Sequence, residues 1–313
     1  MSWLLPLNFK HVFAKLFLSA GLVLWGGQLM AATPSEAKQL LERMSTALQE
    51  LSYEGVFVYR NGENLSAMRV THTAYEEGEH ELLVTLTGQE KEISRNSRRF
   101  GALASTSPMG QLVSGRLAGI EDSYQLSVLG RDRAAGRYAK LVVVAPRDQY
   151  RYGYRLWIDE DTGLLLKSDL LNTDKHVLEQ VMFTSLELLE APSSTIENKK
   201  SLPSRGAGID IQTAKKSMNW EAVDLPKGFQ LSNLRPADSQ GGAEHMVFTD
   251  GLASVSVFVE SVESDENAFK GASQMGAVNA FGNVVAGYQV TVVGEVPQAT
   301  VKRIALSLRH KEK

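Results

Sequence analysis

The chain of 313 residues contains no cysteine. That absence excludes disulfide staples, thiolate metal sites, cysteine nucleophiles and thiol redox switching. It also removes the thiol that bacterial lipoproteins acylate. An imbalance of charge is nearly missing as well: 33 Lys and Arg against 36 Asp and Glu leave a formal charge of -3. Phosphate backbones are held by a clustered basic excess, so this balance argues against a nucleic-acid partner. The apolar run LFLSAGLVLWGG, Leu16 to Gly27, is too short for a comfortable membrane span and has the length of a secretory core.

Motifs that carry chemistry are also absent. His11, His72, His80, His176, His245 and His310 form no H-E-x-x-H pair, and no serine sits in G-x-S-x-G. Gly271, Gly276, Gly282 and Gly287 lack the Lys-Ser/Thr that completes a phosphate loop, and read instead as a less regular stretch of turns. Asp159, Glu160 and Asp161 resemble a calcium loop only until Gly163 arrives one position early and Leu170 stands where the closing Glu belongs. No catalytic residue, metal ligand or cofactor is therefore assigned. A hydrolase whose triad is assembled only by the fold stays open as an alternative.

What is present begins with an address. Lys10, His11 and Lys15 precede the apolar run and small residues follow it, which predicts a signal peptide over 1–32 with cleavage near Ala31 or Ala32. Without a lipidated cysteine the product is expected to be soluble and periplasmic. TPSEAKQLLERMSTALQEL then has capping-box spacing at Thr33 and Glu36, Pro34 at the first helical position, and a stripe of Ala37, Leu40, Leu41, Met44 and Leu48.

From Ser52 the period changes to two. SYEGVFVYR and NLSAMRVTH flank Asn61-Gly62, predicting a hairpin with a type I′ turn centred on that pair. Alternating segments continue at 80–86, 91–96, 124–130, 138–146 and 176–190, the pattern of a meandering antiparallel sheet. Within YRYGYRLWIDEDTGLLLK, 150–167, the pleat sends Tyr150, Tyr152, Tyr154, Leu156 and Ile158 to one face and Arg151, Gly153, Arg155 and Trp157 to the other, and DEDTG turns the chain into a hairpin. Tyrosines with apolar bodies and polar tips suit either a groove or a core whose hydroxyls reach water.

Pro, Ser, Gly and Lys without periodicity over 191–217 predict a linker. The domains expected are thus 33–190 and a smaller α+β unit over 218–313, with strands at WEAVDLPKGFQLSNLR, EHMVFTD, LASVSVFVES and YQVTVVG, a tight turn at Asp250-Gly251 and a helix from Pro297.

YEGVFVYRNGE, APRDQYRYGYRLWIDEDTGLLLKSDLL, MVFTDGLASVSVFVE and AGYQVTVVGEVPQATVKRIALSL resemble the RseB/MucB family of periplasmic regulators of the envelope-stress sigma factor. The resemblance covers nearly all of the chain after the signal, although WIDEDTGLLLK is also similar to the hairpin of LolA/LolB-type lipoprotein carriers. It implies an α+β, mainly β protein: a curved antiparallel half-barrel of the LolA/LolB kind with packed helices, plus a smaller C-terminal α+β domain. It implies a binding protein that is not an enzyme and carries no cofactor. Its partner would be the periplasmic segment of an RseA/MucA-like anti-sigma factor, shielded from a site-1 protease of the DegS type until lipopolysaccharide or another lipid releases it. The family's tendency to self-associate makes a homo-oligomer possible. Periodicity and resemblance together point to Phe57, Tyr59, Tyr152, Tyr154 and Leu156 as a lipid or peptide groove. Phe248, Phe258 and Tyr288 are guesses for the anti-sigma contact that serve equally well as core. A lipid or lipoprotein carrier is the nearest rival reading, and the 33–190 region alone would suffice for one.

Overall fold

The computed structural model describes residues 34–76, 78–98, 119–190, 218–237, 242–262 and 268–311. The expected signal peptide, the N-cap Thr33 and the expected linker lie outside these residues.

Helix α1 (Pro34–Glu50) forms where the apolar stripe recurs at helical spacing, and its Ala37, Leu41, Met44, Ala47 and Leu48 are buried. Each large aliphatic side chain so buried contributes about 1.5–3 kcal/mol. The chain then changes period and builds β1 (Tyr53–Asn61), β2 (Asn64–Tyr75), β3 (Gly78–Thr85), β4 (Glu92–Arg98), β5 (Tyr124–Ala134), β6 (Arg137–Pro146), β7 (Gly153–Asp159), β8 (Leu165–Leu171) and β9 (Val177–Leu188). They make one open antiparallel sheet in the order β4-β3-β2-β1-β9-β8-β7-β6-β5, in which β9 returns to pair with β1. The sheet is strongly curved. Strand β5 comes back toward β9 although three strands lie between them, and α1 packs against both β5 and β2. Register shifts at Val56/Phe57, Val128/Gly130, Trp157/Ile158 and Leu170/Leu171 supply the bends, because a bulge raises local twist.

The concave face holds the core. Tyr53, Phe57, Val70, Val142, Val144, Tyr154, Leu156, Ile158, Val181 and Phe183 meet α1 there. On the convex side Trp157 joins Ala134, Ala139 and Leu166 in a small second cluster, donates Nε1–H to Asp132 at 2.8 Å and carries the Lys167 ammonium 4.0 Å above its ring. The expected parity therefore holds through β7, with Tyr154, Leu156 and Ile158 inward.

Two local expectations need correction. The first hairpin exists, but Asn61 pairs with Asn64, so the two-residue loop is Gly62-Glu63. Gly62 has φ +59° and Glu63 is not among the positive-φ residues, which is the II′ arrangement rather than I′. Asn61 is thereby freed from the turn and aims its side chain inward. The glycine-rich stretch is also no run of turns: it forms a hairpin of β14 (Gly271–Met275) and β15 (Val278–Val285). Gly282 is needed in that strand because Phe269 crosses so closely that a Cβ there would collide with its carbonyl and ring.

The remaining elements are β10 (Trp220–Ala222), β11 (Gln230–Arg235), β12 (Glu244–Thr249), β13 (Ser254–Ser261), β16 (Tyr288–Gly294), α2 (Gln298–Ser307) and β17 (Leu308–His310). A six-stranded antiparallel sheet runs β11-β12-β13-β16-β15-β14, and β10 pairs with β17. Helix α2 covers one face of it, burying Val301, Ile304 and Ala305 against Val255, Val257, Val290 and Val292.

Candidate functional site

The described residues of the two sheets meet along a polar seam, whose centre is Arg151. This residue stands in the loop between β6 and β7, two positions before the strand begins, so the pleat that sends Arg155 outward does not govern it. Asp148 accepts a hydrogen bond from the Tyr150 amide at 2.9 Å and from Arg151 Nε at 3.0 Å, which turns the guanidinium inward. There it donates to Asp250 Oδ2 at 2.7 Å and to the Lys227 carbonyl at 2.6 Å, and lies 5.3 Å from the ring centres of both Tyr124 and Phe229. Both side chains of the Arg151–Asp250 pair have 0% exposure, so Arg151, expected on the charged face opposite the tyrosines, is instead buried in the seam.

Asp250 is fully committed. Its Oδ2 also accepts the Tyr124 hydroxyl at 2.9 Å, and its Oδ1 accepts the amides of Leu252 and Ala253 at 3.0 and 2.8 Å, fixing the loop between β12 and β13. A buried ion pair is tolerated when its remaining lone pairs and protons find partners, as they do here. Burial opposes the charge on Arg151, yet the hydrogen bonds it donates to Asp148 and the charge of Asp250 hold its pKa above the ordinary value. Burial raises the Tyr124 hydroxyl well above its usual range, and the Asp250 carboxylate raises it further, keeping it a donor.

The pair sits within close packing. Gly228 has φ +88°, and a Cβ there would overlap Ser123 Oγ. Leu252 and Ala277, from the six-stranded unit, are buried in the concave core of the nine-stranded sheet. Farther along the seam, Thr300 donates to the Tyr150 carbonyl at 2.6 Å, and Arg303, paired with Asp224, lies 4.9 Å above the Tyr150 ring. Asn279 Nδ2 bridges the Tyr152 hydroxyl at 3.0 Å and the Val296 carbonyl at 2.8 Å.

The seam ends at two carboxyls. Glu179 on β9 accepts the Tyr59 hydroxyl at 2.7 Å and Asn61 Nδ2 at 3.0 Å, and it shares a hydrogen bond with Glu295, which follows β16. Burial first, and then the negative charge of Glu179, push the Glu295 carboxyl up to about 8. A cavity of about 20 Å³ beside them is lined by Tyr154, Ser168, Leu170, Gln180 and Val181. That is room for about one water.

The five expected groove residues do share one concave wall. Phe57, Tyr152, Tyr154 and Leu156 are buried in the core, and Tyr59 is partly buried at its rim. With α1, Leu252 and Ala277 in place the wall is covered. The three expected anti-sigma contacts do not share a surface. Phe248 lies in the core beneath α2, and Tyr288 packs edge-on to Trp220 at 5.4 Å on the same side. Phe258 is on the outer face, stacked 4.3 Å from His245, whose pKa is lowered by partial burial and by Arg235. Among the described residues there is no group of His, Asp and Glu fit to hold a metal and no helix long and apolar enough to cross a membrane. Sequence reasoning missed the Arg151–Asp250 pair and the Glu179–Glu295 contact. An arginine set two residues ahead of a strand, beside an Asp three positions back, was the one signal for the first.

A family model described as the MucB/RseB N-terminal domain matches residues 36–205, and one described as the MucB/RseB C-terminal domain matches 214–309. The sigma factor AlgU regulatory protein MucB of Pseudomonas aeruginosa is 33% identical over 93% of this chain and 97% of its own length. The sigma-E factor regulatory protein RseB of Haemophilus influenzae is 29% identical over 97% of this chain and 98% of its own. The solved complex of Pseudomonas aeruginosa MucA and MucB aligns with a TM-score of 0.67 at 31% identity, covering 89% of this chain and 100% of that one.

Proposed function

This chain belongs to the MucB/RseB family, and from that premise we propose that it is an exported, soluble, non-enzymatic regulator. Its partner is the periplasmic segment of a membrane-spanning anti-sigma factor of the MucA/RseA kind, and binding shields that segment from site-1 proteolysis. The observation that carries the reading is similarity over nearly the whole of both chains to proteins named as regulators of AlgU and of sigma-E. A relative solved with MucA supports the choice of partner. The test is a pull-down from membrane extract with the protein lacking 1–32. Recovery of a single-pass membrane protein whose cleavage slows in its presence supports the reading, and recovery of none contradicts it.

Release is assigned to lipid, lipopolysaccharide foremost. In this reading Phe57, Tyr59, Tyr152, Tyr154 and Leu156 form the acyl-binding wall, reached only when the seam parts. Lipid then competes with Leu252 and Ala277 for the concave face, and any ligand that prefers the parted arrangement shifts the population toward it. Of the anti-sigma candidates, Phe258 is kept because its ring is on an outer face. Titration of the protein–anti-sigma complex with lipopolysaccharide tests the coupling, and an affinity unchanged by lipid removes it. Self-association belongs to the same proposal and is read by light scattering with and without lipid.

A further inference from the structure

We propose that the Glu179–Glu295 contact is a proton-operated latch between the two sheets: one shared proton holds the seam closed, and its loss drives the sheets apart. The contact joins an element of each sheet. Glu179 is on β9, the strand that closes the nine-stranded sheet onto β1, and Glu295 is the residue after β16 of the six-stranded one. Both oxygens of Glu179 already accept hydrogen bonds, from Tyr59 and from Asn61. The proton between the two carboxyls therefore belongs on Glu295, which donates it to Glu179.

Among the described residues, nothing compensates a second negative charge here. The groups facing Glu295 are Glu179 and Gln180 from β9, Tyr154 from β7, and Ser168 and Leu170 from β8. Among the described residues, Tyr59 and Tyr152 complete the titratable groups close enough to feel its charge. No positively charged side chain is among them. The tyrosines are kept neutral by burial, each with its hydroxyl raised. The cavity beside them has room for about one water, so two carboxylates there would be hydrated only in part. Two like charges so placed either share a proton or separate. Separation here means movement of the sheets, because each carboxyl belongs to a different one.

Burial and the neighbouring charge place the switch near neutrality, with Glu295 at about 8 against an ordinary 4.5. The closed seam is thus the protonated form, favoured by acid, and the parted seam is the ionised one, favoured by alkali. This device is separate from partner binding and holds or fails without it.

The chain has no cysteine, so two introduced ones report distance without background. Spin labels at Q49C and K302C, both exposed positions, are measured by pulsed electron–electron resonance from pH 5.5 to 9. The expected result is one short-distance population at pH 5.5 and a second, longer one growing in above about pH 8. The same labels in the Glu295→Gln protein are expected to keep the short population throughout. A distribution that ignores pH, or one that changes equally in E295Q, overturns the latch. Should E295Q not fold, carboxyl-carbon NMR of the unsubstituted protein decides: a Glu side chain titrating near 8 together with the distance change supports the latch, and its absence overturns it.

Discussion

Arg151 and Asp250 are 99 residues apart in the chain and meet at 2.7 Å with neither side chain reaching solvent. The nine-stranded and six-stranded sheets are pinned together there by a charge pair whose other hydrogen-bonding capacity is taken up by Asp148, Tyr124, Lys227 and two loop amides. Removing one partner strands the other in a dry environment, which costs about 3–5 kcal/mol. Asp250→Ala is expected to lower unfolding free energy by about that amount in urea titration, a loss under about 1 kcal/mol being contrary.

The packing around that pair predicts a second outcome. Gly228 combines a left-handed φ of +88° with a near overlap against Ser123 Oγ. Gly228→Ala is expected to destabilise by more than about 1 kcal/mol, from backbone strain and collision together. Adding Ser123→Ala removes the collision and leaves the strain, so the double substitution should recover part of the loss. Strict additivity in the cycle would place the whole effect in the backbone.

Much of this architecture was legible in the residues, and the illegible parts have a common cause. The α1 stripe, the alternation through β1 to β9 and the DEDTG hairpin are local periodicities, and a local rule suffices to read them. The Asn-Gly pair marked the right hairpin but not its register, because β1 extends through Asn61 to place its amide against Glu179. The glycine-rich stretch concealed two strands, since its glycines serve a close crossing by Phe269 and tight turns rather than mobility. The Asp148–Arg151 spacing hints that Arg151 turns inward, but nothing local names Asp250 as its partner or Glu179 as the partner of Glu295. Those pairings exist only after two sheets dock. The same limit applied to Tyr152 and Tyr154, whose alternation suits a groove wall and a core face alike; the structure covers that wall.

That covered wall changes how Tyr154 is to be tested. Its side chain is 94% buried and its hydroxyl is raised well above the usual range by desolvation. Tyr154→Ala opens a cavity and is expected to cost about 3–5 kcal/mol, which confuses binding with folding. Tyr154→Phe keeps the volume and isolates the hydroxyl. Lipid release of the anti-sigma segment is expected to shift in Y154F while the urea midpoint moves little; unaltered release would take Tyr154 out of the groove.

The carboxyl contact sets a pH dependence of stability. A carboxyl whose pKa rises on folding, here from 4.5 to about 8, contributes stability that is whole below 4.5 and is lost as pH climbs through 8. Other carboxylates titrate in the acid part of that range, so the informative quantity is the difference between Glu295→Gln and the unsubstituted protein. E295Q is expected to gain relative stability steadily from pH 4.5 to 8 and to hold a constant lead above it. A difference independent of pH contradicts the raised carboxyl.

The central claim is that this chain grips an anti-sigma factor outside the cytoplasm. Isothermal titration of the protein lacking 1–32 with the periplasmic segment of its own anti-sigma factor tests it most directly. The account predicts saturable binding that lipopolysaccharide weakens. No detectable heat at any concentration, with folding verified and light-scattering controls clean, would contradict it.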